Sequence, residues 1–288
     1  MCEEKKSVPV TPEFWRDYAS GLSSGVKSRR ALRGECWDRA ADTYDDLEAC
    51  DDYMHQVNSV VATLEERGAL APGISVMDIA CGTGTYAVRM APQCRDVVCL
   101  DISSKMLARL EEKKKKAGLE NIHIVHSDWA DYRPDMRFDL VFVSMTPVLG
   151  SMDNIDRILE VSRRFVAIVA WAGVKENSLF NSVYEDLMGE PPSHFQRDII
   201  VPFNYIYARG MAPDLRFFHG CWERTRTSEK QAENMIWQLE LTRRLTDGEK
   251  DFVRRKLAGL STNGMITVKT RVRIGFMLVD KDLGTGPC

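Results

Sequence analysis

Two aspartates and the glycine-rich turn between them are the residues whose types and spacing best suit chemistry. Asp78 lies in an apolar run, and Gly82 and Gly84 follow it within residues 80–84. Small residues allow a tight turn and a close approach of the backbone to a ligand, and the helix N-terminus beyond the turn offers N–H groups to an anion. Asp101 follows Gly82 by about 19 residues, where an acid can accept hydrogen bonds from both hydroxyls of a ribose. The pattern predicts a site for a cofactor that contains a ribose.

Two classes of cofactor fit this spacing. Gly82, Gly84 and Ala87 also match the dinucleotide fingerprint G-x-G-x-x-(G/A), which is a weak signal by itself. Asp78 separates the two classes, because a charge inside the first strand has no evident use in a dinucleotide site. A cofactor with a cationic amino-acid end does have a use for this charge. The acid therefore favours such a cofactor, and an NAD(P)-linked oxidoreductase is the alternative.

A family resemblance starts from the same segment. Residues 78–86, DIACGTGTY, resemble motif I of the class I S-adenosylmethionine-dependent methyltransferases, in a form frequent in the small-molecule branch that includes the ubiquinone and menaquinone methyltransferases. Four further segments resemble family motifs, namely residues 36–45, 100–107, 127–129 and 138–141. The resemblance covers roughly residues 36–171. It departs at Ala80, where the family has glycine, and after strand four, where the Asn/Asp-Pro-Pro-Tyr of the amino-methylating branch is missing.

The resemblance implies a cofactor site with a methionine end and an adenosine end. At the methionine end, the backbone of residues 80–82 contacts the methionine part, and Asp78 helps to hold its amino group. Ser144 lies near the methionine carboxylate or the methyl group. Tyr44 closes over the cofactor from the N-terminal helix.

At the adenosine end, the resemblance implies that Asp101 binds the ribose and that Ile102 and Met106 pack on the adenine. Asp128 accepts a hydrogen bond from the adenine amino group, with Trp129 beside it. The implied cofactor-binding residues are thus Tyr44, Asp78, Ala80, Cys81, Gly82, Asp101, Ile102, Met106, Asp128, Trp129 and Ser144.

The cofactor also determines the expected reaction. A sulfonium methyl group is already activated, so in-line displacement by an acceptor mainly requires alignment and dehydration. A general base is needed only if the acceptor carries a proton at neutral pH, and we assign no catalytic residue.

The acceptor is expected to be a small molecule, because no separate RNA- or protein-recognition domain is evident. His194, Tyr205, Tyr207 and His219 lie in or beside an aromatic-rich stretch and are candidates to line the acceptor pocket. An RNA- or protein-directed methyltransferase that uses the arginine pairs at 163–164 or 243–244 is an alternative. A non-catalytic binding protein with the same fold is another, because a fold does not fix a function.

Short apolar runs alternate with amphipathic stretches, which predicts a mostly parallel sheet with helices on both faces. Strands are predicted at 74–80, 97–100, 122–125, 140–145, 165–171, 215–224 and 265–279. The last run alternates apolar and polar residues, which suggests an antiparallel strand at the sheet edge. We expect a doubly wound, seven-stranded α/β fold of the Rossmann-like methyltransferase type. Its parts are an N-terminal helical lid (1–70) and a core (71–288) with a helical cap insertion at about 174–212.

Several helix ends are marked by their residues. A helical pattern runs from Gly34 to Gly68, and Ser103 or Ser104 is a suitable N-cap for a helix that ends before Gly118. Ser228 is predicted to open another helix with a capping box.

Composition and charge limit the classes of protein. The 288 residues carry a formal net charge of −3, which disfavours a long nucleic-acid footprint. No stretch approaches the roughly 20 apolar residues that span a bilayer, and the N-terminus has no apolar signal-peptide region. The eight cysteines are scattered without a CxxC pair. This spacing predicts reduced thiols, no metal site and a cytoplasmic protein.

Overall fold

The computed structural model describes residues 11–24, 33–192 and 198–284. In these ranges the strands are β1 (Ser75–Ile79), β2 (Asp96–Asp101), β3 (Ile122–His126), β4 (Phe138–Ser144), β5 (Ser162–Glu176), β6 (Asp214–Thr227) and β7 (Met265–Asp280). The helices before β3 are α1 (Pro12–Ser24), α2 (Gly34–Asp38), α3 (Ala41–Tyr44), α4 (Asp51–Glu66), α5 (Ala87–Met90) and α6 (Ser104–Ala117). Those after it are α7 (Met152–Val161), α8 (Ser178–Met188), α9 (Ile200–Ala208), α10 (Ser228–Glu240) and α11 (Asp247–Leu260).

All seven strands form one sheet in the order β3-β2-β1-β4-β5-β7-β6. Strands β1 to β5 pair in parallel, and β7 pairs antiparallel with both β5 and β6. The predicted seven-stranded, mostly parallel α/β fold is therefore confirmed.

The prediction that the last strand forms the sheet edge is wrong, because β7 lies between β5 and β6. Only the first half of β7 alternates between exposed and buried residues, and residues 274–279 are buried without interruption. A strand covered on both faces gives such a continuous apolar run. The edge prediction followed from the alternating first half of β7, residues 265–272.

The sheet has a hydrophobic core on each face, and β1 contributes to both. Val76 packs in the layer that contains α4 and α6, whereas Met77 and Ile79 pack in the layer that contains α7 and α9. Successive side chains of a strand point to opposite faces, so the fully buried β1 is covered on both sides. Its carboxyl end, next to β2 on one side and β4 on the other, is where ligands bind in such sheets.

A third core cluster forms the cap. Val183 of α8 packs with Met235 of α10 and Val253 of α11, and the cluster rests on Ile266 and Val268 of β7. The sequence predicts the cap at about 174–212, but only α8 of that range belongs to it. Helix α9 packs instead against α1 and α7 on the opposite face of the sheet.

Helix boundaries follow from their caps. The Ser103 hydroxyl accepts from the backbone N–H of Met106, and Gly118 ends α6 with a φ of 64°, as predicted. The expected capping box at Ser228 is wrong, because Thr227 is the N-cap of α10 and accepts from Lys230. The helical pattern of residues 34–68 is divided into α2, α3, a 3₁₀ turn at Asp45–Ala49 and α4.

Candidate functional site

The turn after β1 is built from residues in unusual backbone conformations. Ala80, Gly82 and Gly84 all have positive φ, at 56°, 56° and 76°. Glycine adopts this region freely, whereas alanine does so at a cost of roughly 1 kcal/mol or more. A Cβ on Gly84 would also lie 2.2 Å from Cδ1 of Leu110, so the glycine lets α6 pack closely on the turn.

Asp101 closes β2 and fixes this turn. Its Oδ2 accepts from the backbone N–H of Gly82 at 2.8 Å, and its Oδ1 accepts from the N–H of Ser103 at the same distance. Burial raises the pKa of Asp101, and these backbone hydrogen bonds oppose the rise. Each carboxylate oxygen has a second lone pair, so Asp101 can hold the turn and still accept from a ligand hydroxyl.

Asp78 is a nearly inaccessible carboxyl group inside β1, with 2% of its surface exposed. Burial raises its pKa well above the usual value, and the negative charge of Asp101 raises it further. An ionised carboxylate in such surroundings is costly unless a cation accompanies it. The site is therefore suited to a ligand that brings a positive charge to Asp78.

Two adjoining cavities open at the carboxyl ends of β1, β2 and β4. The smaller one lies beside β2 and β3, and the larger one, which we call the cap cavity, extends under α8 and α10 with a volume of about 640 Å³. Both are lined by Trp37, Tyr44, Ala80, Gly82, Ser144 and Met145. A ligand bound at the turn can therefore reach both spaces.

The predicted cofactor residues are brought together by this arrangement. The smaller cavity is lined by Asp101, Ile102, Met106, Asp128 and Trp129, and the cap cavity by Asp78 and Cys81, with the remaining four residues shared. All eleven thus line one or both cavities, and their roles as ligands stay predictions.

Asp128 and Trp129, the predicted adenine contacts, form the far wall of the smaller cavity. The Oδ1 of Asp128 accepts from the N–H of Ala130, which orients the carboxylate. Trp129 is stacked by the Arg157 guanidinium at 4.3 Å, and its buried Nε1 has no partner among the described residues. The wall therefore offers a carboxylate acceptor, and the buried indole of Trp129 lies beside it.

Of the four predicted acceptor-pocket residues, the three that the structure describes are not brought together. The Tyr205 hydroxyl bonds to Asp156 at 2.8 Å behind the sheet, and the side chain of Tyr207 is 63% exposed. His219 is exposed on β6, on the face opposite Trp222, and His194 lies outside the described residues. The prediction is wrong for the two tyrosines because α9, which carries both, packs on the face of the sheet opposite the cap.

The segment that contains α2, α3 and the 3₁₀ turn is bound to α6 and to the glycine turn. Asp38 accepts from the Ser103 hydroxyl at 2.6 Å and from the N–H of Lys105 at 3.1 Å. The Lys113 ammonium lies 2.8 Å from Asp45 and 2.6 Å from Glu48. These bonds hold Tyr44 over the turn, which is the arrangement expected of a lid.

Sequence reasoning missed most of the acceptor side of the site. Tyr86 follows the glycine turn directly and lines the cap cavity, so its position beside the motif was an available signal. The other missed residues come from separate elements, and no local pattern marks them: Tyr53, Trp171, Lys175, Trp222, Arg224 and Trp237. Among the described residues, no cluster of three or more His, Cys, Asp or Glu side chains forms a metal-binding group.

Comparison with known proteins identifies the core of the chain. Residues 76–167 match the family described as a methyltransferase domain. The chain carries a methyltransferase domain. The matched segment contains β2 to β4, all of β1 except Ser75, the glycine turn, Asp101 and Ser144. The match agrees with the predicted methyltransferase, and S-adenosylmethionine as the methyl donor belongs to the proposal below.

Three relatives show how far the methyltransferase resembles known chains. An uncharacterized protein of Haemophilus influenzae is 28% identical over 191 residues, which cover 64% of this chain and 69% of the relative. A probable cobalt-precorrin-6B C(15)-methyltransferase (decarboxylating) of Methanococcus maripaludis is 30% identical over 112 residues, 38% of this chain and 59% of the relative. A demethylmenaquinone methyltransferase of Listeria welshimeri is 29% identical over 105 residues, 35% of this chain and 42% of the relative. The chain thus spans less than two thirds of the two relatives with named activities. In the part of the chain that the structure covers, no helix is long and apolar enough to cross a membrane.

Proposed function

We propose that this methyltransferase transfers the methyl group of S-adenosylmethionine to a small molecule held in the cap cavity. The observation that carries the proposal is the continuity of the site. The turn residues Ala80 and Gly82 and the strand-end residue Ser144 line both the smaller cavity and the cap cavity. A volume of about 640 Å³ lies in the usual range for small-molecule pockets.

The bound cofactor would supply a methyl group on a positively charged sulfur, and the residues of the chain would position it. In this proposal Asp101 accepts from the ribose hydroxyls and Asp78 faces the cationic amino group. Tyr44 shields the site from above. The relatives named for menaquinone and precorrin methylation support an acceptor that is a small molecule.

The tyrosines of the cap cavity are suited to orient an acceptor and unsuited to deprotonate it. Burial raises the pKa of Tyr53 to about 12, and it raises the pKa of Tyr44 and Tyr86 above the ordinary value. Their hydroxyls therefore stay protonated at neutral pH and donate hydrogen bonds. We infer that the acceptor atom is nucleophilic without a base from these residues.

Macromolecular acceptors fit the surface less well. Arg163 pairs with Asp139, Arg164 with Asp280, and Arg243 with Glu249. The arginines that could form a basic patch are thus largely neutralised by neighbouring acids. We also propose a cytoplasmic location, on the basis of the scattered cysteines.

Methyl transfer from labelled S-adenosylmethionine into a cell extract tests the proposal. We expect the label in small molecules, and it should persist there when the extract is first treated with nuclease and protease. The Asp101→Ala variant serves as the inactive control. Label found only in RNA or protein, and lost after that treatment, would reverse the assignment.

A further inference from the structure

Arg224 is a cation of the cap cavity that the proposed cofactor chemistry does not use. It lies on β6 between Trp222 and Arg226, and the alternation of a strand places all three side chains on one face. Their partners across the strand pair are Thr270, Val268 and Ile266 of β7. Since Val268 and Ile266 belong to the cap core, Arg224 lies on the face that the cap covers.

The two arginines differ in their partners. The Nε of Arg226 donates to Asp46 at 2.8 Å, and one of its terminal nitrogens donates to the carbonyl of Thr43. No carboxylate of the described residues lies within ion-pair distance of Arg224, although Asp46 attracts it from farther away. Burial lowers the pKa of Arg224 to about 10, and the charge of Arg226 adds to this effect. Arg224 therefore remains charged at neutral pH, and no paired acid among the described residues offsets the free-energy cost of its desolvation.

Flat aromatic surfaces adjoin this cation. The rings of Trp171 and Trp222 lie 5.5 Å apart, and Tyr53 meets Trp222 edge-on at 5.3 Å. The ammonium of Lys175 lies 4.8 Å from the centre of the Trp171 ring, so a second cation adjoins the same wall. Such rings bury large apolar areas and stack on other rings, while a guanidinium binds a carboxylate or phosphate through two parallel hydrogen bonds.

We propose that the acceptor is a flat, conjugated molecule with an anionic group, which Arg224 binds while the ring system rests on Trp171 and Trp222. This inference rests on the proposed function, because it assigns a substrate class to the same cavity. The anionic group is a carboxylate or a phosphate, since both match the guanidinium. Arg224 acts as a specificity residue, and the reaction at the methyl group does not require it.

Calorimetric titration of the full chain, saturated with S-adenosylhomocysteine, tests the assignment with three probes. The probes are 2-naphthoate, 2-naphthyl phosphate and the neutral 2-naphthamide. We expect at least one anionic probe to bind tenfold or more tightly than the amide. The arm that binds better identifies the carboxylate or the phosphate as the preferred group.

Variants connect this preference to the residue. Arg224→Gln should lose the preference for the anion and keep the wild-type affinity for S-adenosylhomocysteine, while Arg224→Lys should keep part of the preference. Arg271→Gln is the matched control, since Arg271 pairs with Glu176 on the exposed part of the same sheet. If Arg224→Gln does not fold, the affinities of the three probes for the wild-type chain and for Arg224→Lys still test the inference.

Equal wild-type affinities for anion and amide, no binding of any probe, or an unchanged preference in Arg224→Gln would overturn the inference. Failure of the wild-type chain to bind S-adenosylhomocysteine would instead count against the proposed function. The two failures are therefore distinguishable in one set of titrations.

Discussion

At the scale of single residues, the turn after β1 requires glycine at position 84 for two reasons, its backbone conformation and its packing. Gly84 has a positive φ and leaves no room for a Cβ beside Leu110, whereas Gly68 has a similar φ of 69° with open space around it. The two glycines thus separate the cost of backbone conformation from the cost of packing.

Gly84→Ala should lower the free energy of unfolding by about 2–4 kcal/mol, because the strain of a left-handed alanine adds to overpacking against Leu110. Gly68→Ala should cost only about 1 kcal/mol, since it lacks the second contribution. Urea unfolding of both variants measures the difference. Equal decreases in the free energy of unfolding would show that close packing between the turn and α6 does not contribute to stability.

Asp78 shows the conflict between stability and binding at a single carboxyl group. Its pKa is raised in the folded chain, so folding favours the protonated form. The resulting stability is fully present below the pKa of the unfolded aspartate and is lost as the pH rises through the folded value. A bound cation would oppose this shift, because it favours the carboxylate.

Asp78→Asn should therefore raise the melting temperature at pH 7, by at least about 2 °C, and should weaken the binding of S-adenosylhomocysteine. The gain should shrink as the pH approaches 4, near the ordinary pKa of an aspartate. Thermal melts across this range, with and without the ligand, provide the measurement. A variant that melts lower than the wild type at pH 7 would contradict the pKa assignment.

At the scale of elements, the lid is bound to the glycine turn through α6. Lys113 reaches Asp45 and Glu48 on the lid and has 22% of its side chain exposed. Lys115, on the same helix, pairs only with Glu111 among the described residues and is 73% exposed. The two lysines therefore carry the same charge with different structural consequences.

Lys113→Met should loosen the lid, because Asp45 loses its cation and Glu48 keeps only the more distant Arg89, at 3.9 Å. We expect faster amide hydrogen exchange at residues 41–49 and several-fold weaker binding of S-adenosylhomocysteine. Lys115→Met should leave both unchanged, since exposed ion pairs contribute little. If amide hydrogen exchange at residues 41–49 is equally slow in both variants, other contacts hold the lid.

The elements differ in how well the sequence predicts them. The strand cores, the helix α6 with its caps and the glycine turn follow from local residue patterns, and each is found within a few residues of its predicted place. The path of the chain after β5 does not follow from such patterns. Helix α8 joins the cap and α9 crosses to the other face, and both are short apolar helices whose partners lie far away in sequence. The aromatic wall of Trp171 and Trp222 is likewise formed only by the pairing of β6 with β7 and of β7 with β5.

At the scale of the whole molecule, the site lies at the carboxyl ends of the central strands and is closed by two separate coverings. The lid comes from the N-terminal elements, and the cap comes from α8, α10 and α11. They meet where Trp37 packs on Trp237 at 5.5 Å and where the Trp237 indole donates to the carbonyl of Cys36 at 2.7 Å. In the proposed function the lid covers the cofactor and the cap covers the acceptor, and both coverings lie outside the family match at 76–167.

Asp101 and the turn it fixes are proposed to bind the cofactor, and calorimetric titration with S-adenosylhomocysteine measures this binding. The wild-type chain, freed of carried-over ligand, should give a saturable heat, and Asp101→Ala should bind more than tenfold more weakly. Asp96→Ala is the matched control, because Asp96 opens the same strand and pairs with Arg95 away from the site. It should bind like the wild type. No heat with the wild-type chain, or the same dissociation constant for Asp101→Ala, would contradict the account.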